Sequence, residues 1–423
     1  MKDYLNNLPT EIKDLIHLAA DVACANNMPI YLVGGFVRDL MLRVKNLDLD
    51  IVVEGDGIKF AEDFAHAKKA KLISHKRFGT ATVILEHHQK IDIASARKEF
   101  YPSPAHLPVV SNGRLKDDLF RRDFTINAMA VSIGKENFGK LIDLFDGRRD
   151  LDNKNIRVLH DLSFIDDPTR ILRAIRFEKR YGFRVESKTL KLLKSAVKNR
   201  MLNIVQPQRL RDELILILRE DHPIIQIRRI QELTGFSFIN PSISISKKTY
   251  SLLKCIEKQV NWFKKTYSEK RKIDTWLMYF FALIDHLNIS EIKTICKRYA
   301  FSKGEEKRML NFKKINRRFI LGLSREKIKP ANIFSLLEPL SYEVILMIKA
   351  KYKDQVIQKH IEDFFEIYNG MRIYIGGDDL HRLGFAPGPF YKKIFTRVLN
   401  AKLNGKVKTK EEELSLIKKL LKT

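Results

Sequence analysis

The stretch from Tyr31 to Gly57, YLVGGFVRDLMLRVKNLDLDIVVEGDG, constrains this chain most. Tyr31 to Val33 predicts a short apolar strand that runs into Gly34-Gly35. Two glycines let the backbone come close to a ligand and aim N–H groups at it. A short helix from Phe36 to Leu42 follows, with Arg38 in its first turn. A helix N-terminus beside an arginine suits a phosphate. Asp48 and Asp50 open a second strand, continued by Ile51 to Val53. Residues i and i+2 of a strand share a face, so the two carboxylates converge. Converging carboxylates repel, and a divalent cation removes the conflict. A lone Gly-Gly is ordinarily a turn, and a lone Asp-x-Asp a solvated strand end. Together, with Arg38 between them, they point to metal-assisted nucleotidyl transfer.

The rest of the chain must supply a partner surface. It has 423 residues, room for two to four domains, and 44% hydrophobic content, enough for real cores. Its formal net charge of +27 calls for a polyanionic partner. Nucleic acid comes first and an anionic membrane surface second, but no clean basic amphipathic helix sits beside a lipid anchor. Cys24, Cys255 and Cys296 are far apart, which makes neither a disulfide framework nor a zinc site and fits a reducing cytoplasm. The first residues hold acids and no long apolar core, so no signal peptide is expected. The most apolar run, Trp276 to Ile284, is far shorter than the roughly 20 residues that span a bilayer. It reads as a buried helix.

Taken in order, residues 9 to 26 predict an amphipathic helix with a possible cap at Thr10. Ile58 to Lys69 predicts another. Lys71 to Ser74 and Thr80 to Leu85 read as strands around a turn at Gly79. Lys90 to Ala94 is the next strand, and its Asp92 stands between two isoleucines. Acids are depleted inside strands, so Asp92 is either a third metal ligand beside Asp48 and Asp50 or a carboxylate on an exposed face. Ser95 to Arg121 has three prolines and no periodicity, and is expected to be a loop with little internal pairing, in place to act as a lid. Arg121 to Ala130 predicts two arginines and an acid ahead of a short apolar helix, with Asn127 one turn after Asp123. In that arrangement Arg122 can hold phosphate oxygens and Asn127 a sugar hydroxyl, with Asp123 in the same group. Leu141 to Leu144 is a last strand. At Asp167-Pro168 a new helix begins, with Asp167 as cap and Gly182 as stop. Arg170, Arg173 and Arg176 form one stripe along it, opposite Ile171, Leu172 and Ile175. Beyond it the chain is helical and Lys-rich, with a break at YIGGDDLHRLGFAPGP from Tyr374 to Pro389.

Three motifs in this order resemble the class II tRNA nucleotidyltransferases, the superfamily of bacterial CCA-adding enzymes and poly(A) polymerases. They are Gly34-Gly35-Phe-Val-Arg38-Asp39 with Asp48-Leu-Asp50, then Arg121-Arg122-Asp123-Phe-Thr-Ile-Asn127-Ala, then Asp166-Asp167-Pro-Thr-Arg170-Ile-Leu-Arg173-Ala-Ile-Arg176-Phe. The family often carries Glu at the place of Asp166. The resemblance implies an α+β architecture: a DNA polymerase β-like head, residues 1–150, followed by an all-helical neck (151–225), body (226–370) and tail (371–423). It implies that Asp48 and Asp50 bind Mg²⁺ with an acid at Asp92 nearby. It puts Gly35, Arg38, Arg122, Arg173 and Arg176 at nucleotide-contacting positions. Asp167 and Arg170 fall where the family reads the incoming base with protein groups, an Asp accepting from the exocyclic amine and an Arg donating to the ring. The implied activity is addition of CCA, or of its terminal A, to tRNA from CTP and ATP. CC-only members lack the loop that is long here. Polyadenylation of other RNA, and an RNA-binding protein with an idle head, are the alternatives.

Overall fold

The computed structural model describes residues 1–44, 48–86, 89–267 and 272–421. Lys45 to Leu47, inside the opening stretch, and Lys422-Thr423, at the end of the expected terminal helix, lie outside the described residues. The chain divides into two units, one of residues 1–220 with 232–234, the other of residues 221–231 with 235–423.

The first unit is built on a mixed sheet. Its strands are β1 (Ile30–Val33), β2 (Leu49–Val53), β3 (Lys71–His75), β4 (Thr80–Ile84), β5 (Lys90–Ser95), β8 (Met129–Ser132) and β9 (Leu141–Asp143), with β6 (Arg97–Phe100) and β7 (Val109–Asn112) outside it. Among the described residues the sheet runs β3-β4-β5-β2-β1-β8-β9. All its ladders are antiparallel except β2–β5, which is parallel and pairs Leu49 with Ile91, Asp50 with Asp92 and Ile51 with Ile93. Period-2 alternation sends Leu49, Ile51, Ile91 and Ile93 into the core, all at most 1% exposed. The helices Thr10–Ala25 and Gly57–Lys68 pack together, and the second covers β4 and β5. Val52, of the same parity as Asp50, packs with Leu115 and Leu119 of the helix Leu115–Phe120.

Several expectations are corrected here. Thr10 is the first helical residue, Pro9 is the N-cap, and no side chain caps that end. The stretch 95–121 is not an unpaired loop: β6 and β7 form an antiparallel ribbon with Phe100 opposite Val109, and a helix follows. Its prolines fall between the paired segments, so they punctuate the ribbon and do not break it. The apolar helix expected after Asp123 is a single 3-10 turn, Thr125–Asn127, leading into β8. Its residues go on as Met-Ala-Val-Ser, which the central sheet takes up as a strand. The arginine-bearing helix is Thr169–Arg180 and its N-cap is Pro168, one residue beyond the expected Asp167, whose carboxylate still accepts from the Thr169 N–H at 3.1 Å.

The second unit is helical. Its longest helix, Lys247–Tyr267, packs against Thr275–Ile284 and Tyr342–Lys351. Every residue from Trp276 to Ile284 is buried, as the apolar run predicted. A small separate core of Ile375, Leu380, Ile394, Val398 and Ile417 closes the C-terminal part. Among the described residues no single helix is long and apolar enough to cross a membrane.

Candidate active site

The site starts at the end of β1. Gly34 has φ +65°, which side-chain-bearing residues rarely adopt, and a Cβ there would collide with the Arg122 guanidinium. The turn delivers the helix Gly35–Met41. Its Arg38 is buried, donates from Nε to Asp39 at 2.8 Å and from Nη1 to the side-chain oxygen Oδ1 of Asn127, and lies against the rings of both Phe177 and Tyr181. Arg38 is therefore fixed by its neighbours before any ligand arrives.

Opposite it, the β2–β5 register sets Asp50 beside Asp92. The Thr82 hydroxyl on β4 donates to Asp92 Oδ1 at 2.7 Å. Burial, then the nearby Asp92 and Asp48 charges, push the Asp50 carboxyl up to about 6 against the pull of Arg122 and Arg38. Among the described residues no three Asp, Glu, His or Cys side chains converge into a formed metal cage. Asp50 and Asp92 form a cross-strand pair, and Asp48 stands just before β2 begins at Leu49. Such a donor set fits a hard divalent cation, which takes one or two carboxylates and completes its shell with water and substrate oxygens.

Twelve of the thirteen expected site residues line one cavity of about 1100 Å³, wholly within the first unit; Gly34 is the exception. The second motif supplies its hub. Burial opposes ionisation of Asp123, yet Arg173 and the Asn127 amide hold its carboxyl down to about 2. Arg173 donates to Asp123 Oδ2 at 2.8 and 2.6 Å, and Asn127 Nδ2 donates to Oδ1 at 2.9 Å. Asp123 thus orients two cavity residues, its own oxygens being occupied. Arg122 is paired with Asp118 at 2.9 Å, and Arg121 with Asp118 at 2.5 Å.

The arginine helix closes the other side. Arg173 and Arg176 both donate to Glu213, at 2.9 and 3.2 Å. Arg170 is 4% exposed and donates to the Ser163 hydroxyl at 2.6 Å and the Arg121 carbonyl at 2.7 Å. Asp167 accepts from the Thr169 hydroxyl at 2.6 Å and from Arg209 at 2.7 Å. Arg176 Nε and Arg209 Nη1 are buried without a hydrogen-bond partner.

Residues 30–157 match the family model of the poly A polymerase head domain, and residues 182–246 that of the probable RNA- and SrmB-binding site of polymerase A. The A-adding tRNA nucleotidyltransferase of Halalkalibacterium halodurans is 30% identical over 97% of this chain and 93% of its own length. This chain belongs to the class II tRNA nucleotidyltransferases. The A-adding enzyme of Geobacter sulfurreducens is 38% identical over 98% of the chain, which spans only 49% of that relative's length. The Thermotoga maritima CCA-adding enzyme, solved in complex with tRNA, is 33% identical, with a TM-score of 0.72 over 99% of this chain and 98% of its own. A further CCA-adding enzyme structure reaches 35% identity and a TM-score of 0.76 over 99% and 98%. Beyond the head the chain is mostly helical, but the neck expected to be all-helical holds a short parallel ladder that pairs Asn155–Ile156 with Arg184–Val185.

Sequence reasoning missed the residues that hold the motifs in place. Asp118 is fully buried under Arg121 and Arg122, three and four residues on, and that spacing was the available signal. Glu99 accepts from Arg97 at 2.8 Å, Arg121 at 3.2 Å and the Tyr101 hydroxyl at 3.0 Å. The alternation Arg97, Glu99, Tyr101 is a one-face pattern, hidden by the proline count around it.

Proposed function

We propose that this chain is a template-independent nucleotidyltransferase that adds CCA, or its terminal A, to tRNA 3′ ends from CTP and ATP, releasing pyrophosphate. The observation that carries the reading is Asp50 set opposite Asp92 by the β2–β5 register, in the same cavity as the arginine helix. Asp48, Asp50 and Asp92 would hold Mg²⁺, which when bound supplies Lewis-acid activation of the RNA 3′-hydroxyl and neutralises phosphate charge. The 3′-hydroxyl attacks the α-phosphorus in line, and the α–β bridging bond breaks. Gly35, on the cavity wall, turns its backbone toward the phosphates, while the Gly34 N–H is taken by the Met129 carbonyl and Gly34 serves the turn. Arg122, Arg173 and Arg176 face the charge that develops on the leaving pyrophosphate. We assign the sugar to Asn127, whose side chain is held by Asp123 and Arg38.

Asp167 and Arg170 stand three residues apart at the head of one helix, and we assign them the base: the carboxylate accepts from an exocyclic amine and the guanidinium donates to the adjacent ring nitrogen. We read residues 1–150 as the catalytic head, 151–225 as the base-reading neck, 226–370 as a body and 371–423 as a tail for the tRNA acceptor arm. Three free cysteines fit a reducing cytoplasm.

The test uses three tRNA transcripts, ending at the discriminator base, at C and at CC, each given Mg²⁺ with CTP, ATP or both. Full CCA on the first identifies a CCA-adding enzyme, and one A on the third alone identifies an A-adding enzyme. Long A-tails on any RNA would replace this reading with poly(A) polymerase. With Asp48→Ala, incorporation is expected to collapse while tRNA binding persists; surviving incorporation would refute the metal assignment.

A further inference from the structure

Two residues assigned to the base, Asp167 and Arg170, are each gripped from behind. The Asp167 carboxylate is held by Thr169 and Arg209. Arg170 is held by the Arg121 carbonyl and by Ser163, whose hydroxyl is 2.6 Å from Nη1. Ser163 is 0% exposed and opens the helix Ser163–Asp166, and its own carbonyl accepts from the Asp167 N–H at 3.2 Å. One residue therefore touches both readers, one through its side chain and the other through its backbone. Nothing in the reaction as described uses it.

Cytosine and adenine offer the same pair to such a reader, an exocyclic amine beside a ring nitrogen that accepts. They differ in reach, because adenine carries its pair one fused ring further from the sugar. A reader whose donor can swing serves both bases. A reader whose guanidinium is pinned matches one reach. We infer that Ser163 is a positioning residue for nucleotide choice: its hydroxyl pins the Arg170 guanidinium so that the Asp167–Arg170 pair accepts one base size, adenine. The choice of adenine follows the A-adding relatives. The inference rests on Asp167 and Arg170 being the base readers. A buried hydrogen bond to a charged group is worth enough to bias a guanidinium between two positions by about tenfold or more.

The experiment measures kcat/KM for ATP and for CTP on a CC-ended tRNA with the full chain, comparing wild type, Ser163→Ala, Ser163→Thr and Arg170→Ala. Ser163→Ala is expected to lower the ATP:CTP ratio about tenfold or more, and Ser163→Thr, which keeps the hydroxyl, to stay near wild type. An unchanged ratio in Ser163→Ala overturns the inference, even if both rates fall together, because loss of packing alone lowers them equally. Should the Ala variant fail to fold, Ser163→Cys keeps the volume with a far weaker bond and is read the same way. Arg170→Ala separates the two layers. If it loses discrimination and Ser163→Ala does not, only the role of Ser163 fails. If Arg170→Ala discriminates like wild type, the base-reader assignment fails, and the inference with it.

Discussion

Asp50, the carboxylate proposed to hold the metal, shows what such a group costs the fold. Its pKa stands near 6 against an ordinary 3.8, chiefly through burial and then through Asp92 and Asp48. The folded state thus holds its proton more tightly than the unfolded one. The stabilisation from protonation is complete below about pH 4 and is lost as pH rises through about 6. Above that, the ionised group sets the fold back by about 1–3 kcal/mol, solvent screening included. Asp50→Asn removes the charge at little change in shape. At pH 7.5 with no divalent ion it should melt higher than wild type, with the gap closing below pH 4, while nucleotide incorporation is lost. An Asn variant that melts at or below wild type at pH 7.5 would show that the acids are not mutually strained. Asp123 behaves oppositely although it is more buried, because Arg173 and Asn127 reach it directly. Two acids lining one cavity are set apart by their neighbours, which is the usual way a site divides chemistry from scaffolding.

Whole elements were legible where a local rule acted without competition. The Gly34-Gly35 turn, the β2 alternation and the apolar helix Thr275–Ile284 follow from spacing alone. The β6–β7 ribbon did not, because four-residue strands with Phe100 and Val109 largely exposed carry no periodic signal, and prolines nearby speak for a loop. The 3-10 turn before β8 was read as a helix for the reverse reason: Thr-Ile-Asn-Ala-Met-Ala has helical spacing, and only strand pairing with β1 overrides it. The spacing of Asp118 with Arg121 and Arg122 was legible but its burial was not, because an i,i+4 charge pair looks the same on a solvated face as in a core. The ribbon hangs on one such group. Glu99 is 6% exposed at its side chain and compensates Arg97 and Arg121 together. Glu99→Ala leaves two guanidinium groups short of an acceptor and should destabilise the first unit by about 3 kcal/mol. Through Arg121, whose carbonyl holds Arg170, it should also lower kcat/KM for ATP by about tenfold. Thermal melting and single-nucleotide incorporation check the two effects. A variant with wild-type melting and activity would detach the ribbon from the site.

At the scale of the molecule, charge and chemistry occupy different parts of the chain. Residues 1–150 carry 22 Lys and Arg against 21 Asp and Glu, whereas residues 151–423 carry 56 against 30. The head is nearly neutral by count, and its Arg38, Arg97, Arg121 and Arg122 are paired with its own acids. The excess therefore belongs to the helical remainder, including the exposed Lys392, Lys393 and Arg397 on the helix Pro389–Leu403. A polyanion held by that excess releases counterions on binding, and its affinity falls as a power of salt. If four phosphate contacts are neutralised, raising KCl from about 50 to about 200 mM should raise KM for tRNA by about fiftyfold. The chemical step draws on paired, partly buried groups that salt screens weakly. At saturating tRNA, kcat should accordingly change less than about twofold over the same range. Replacing Lys392, Lys393 and Arg397 together by Ala should flatten the salt dependence of KM by up to about three contacts and leave kcat at saturation unchanged. Steady-state kinetics across a salt series measures both quantities in one experiment. A KM for tRNA that ignores salt would mean that the basic surface is not where the RNA lies, and a kcat that falls in parallel would mean that the arginines of the cavity are less shielded than their pairing indicates.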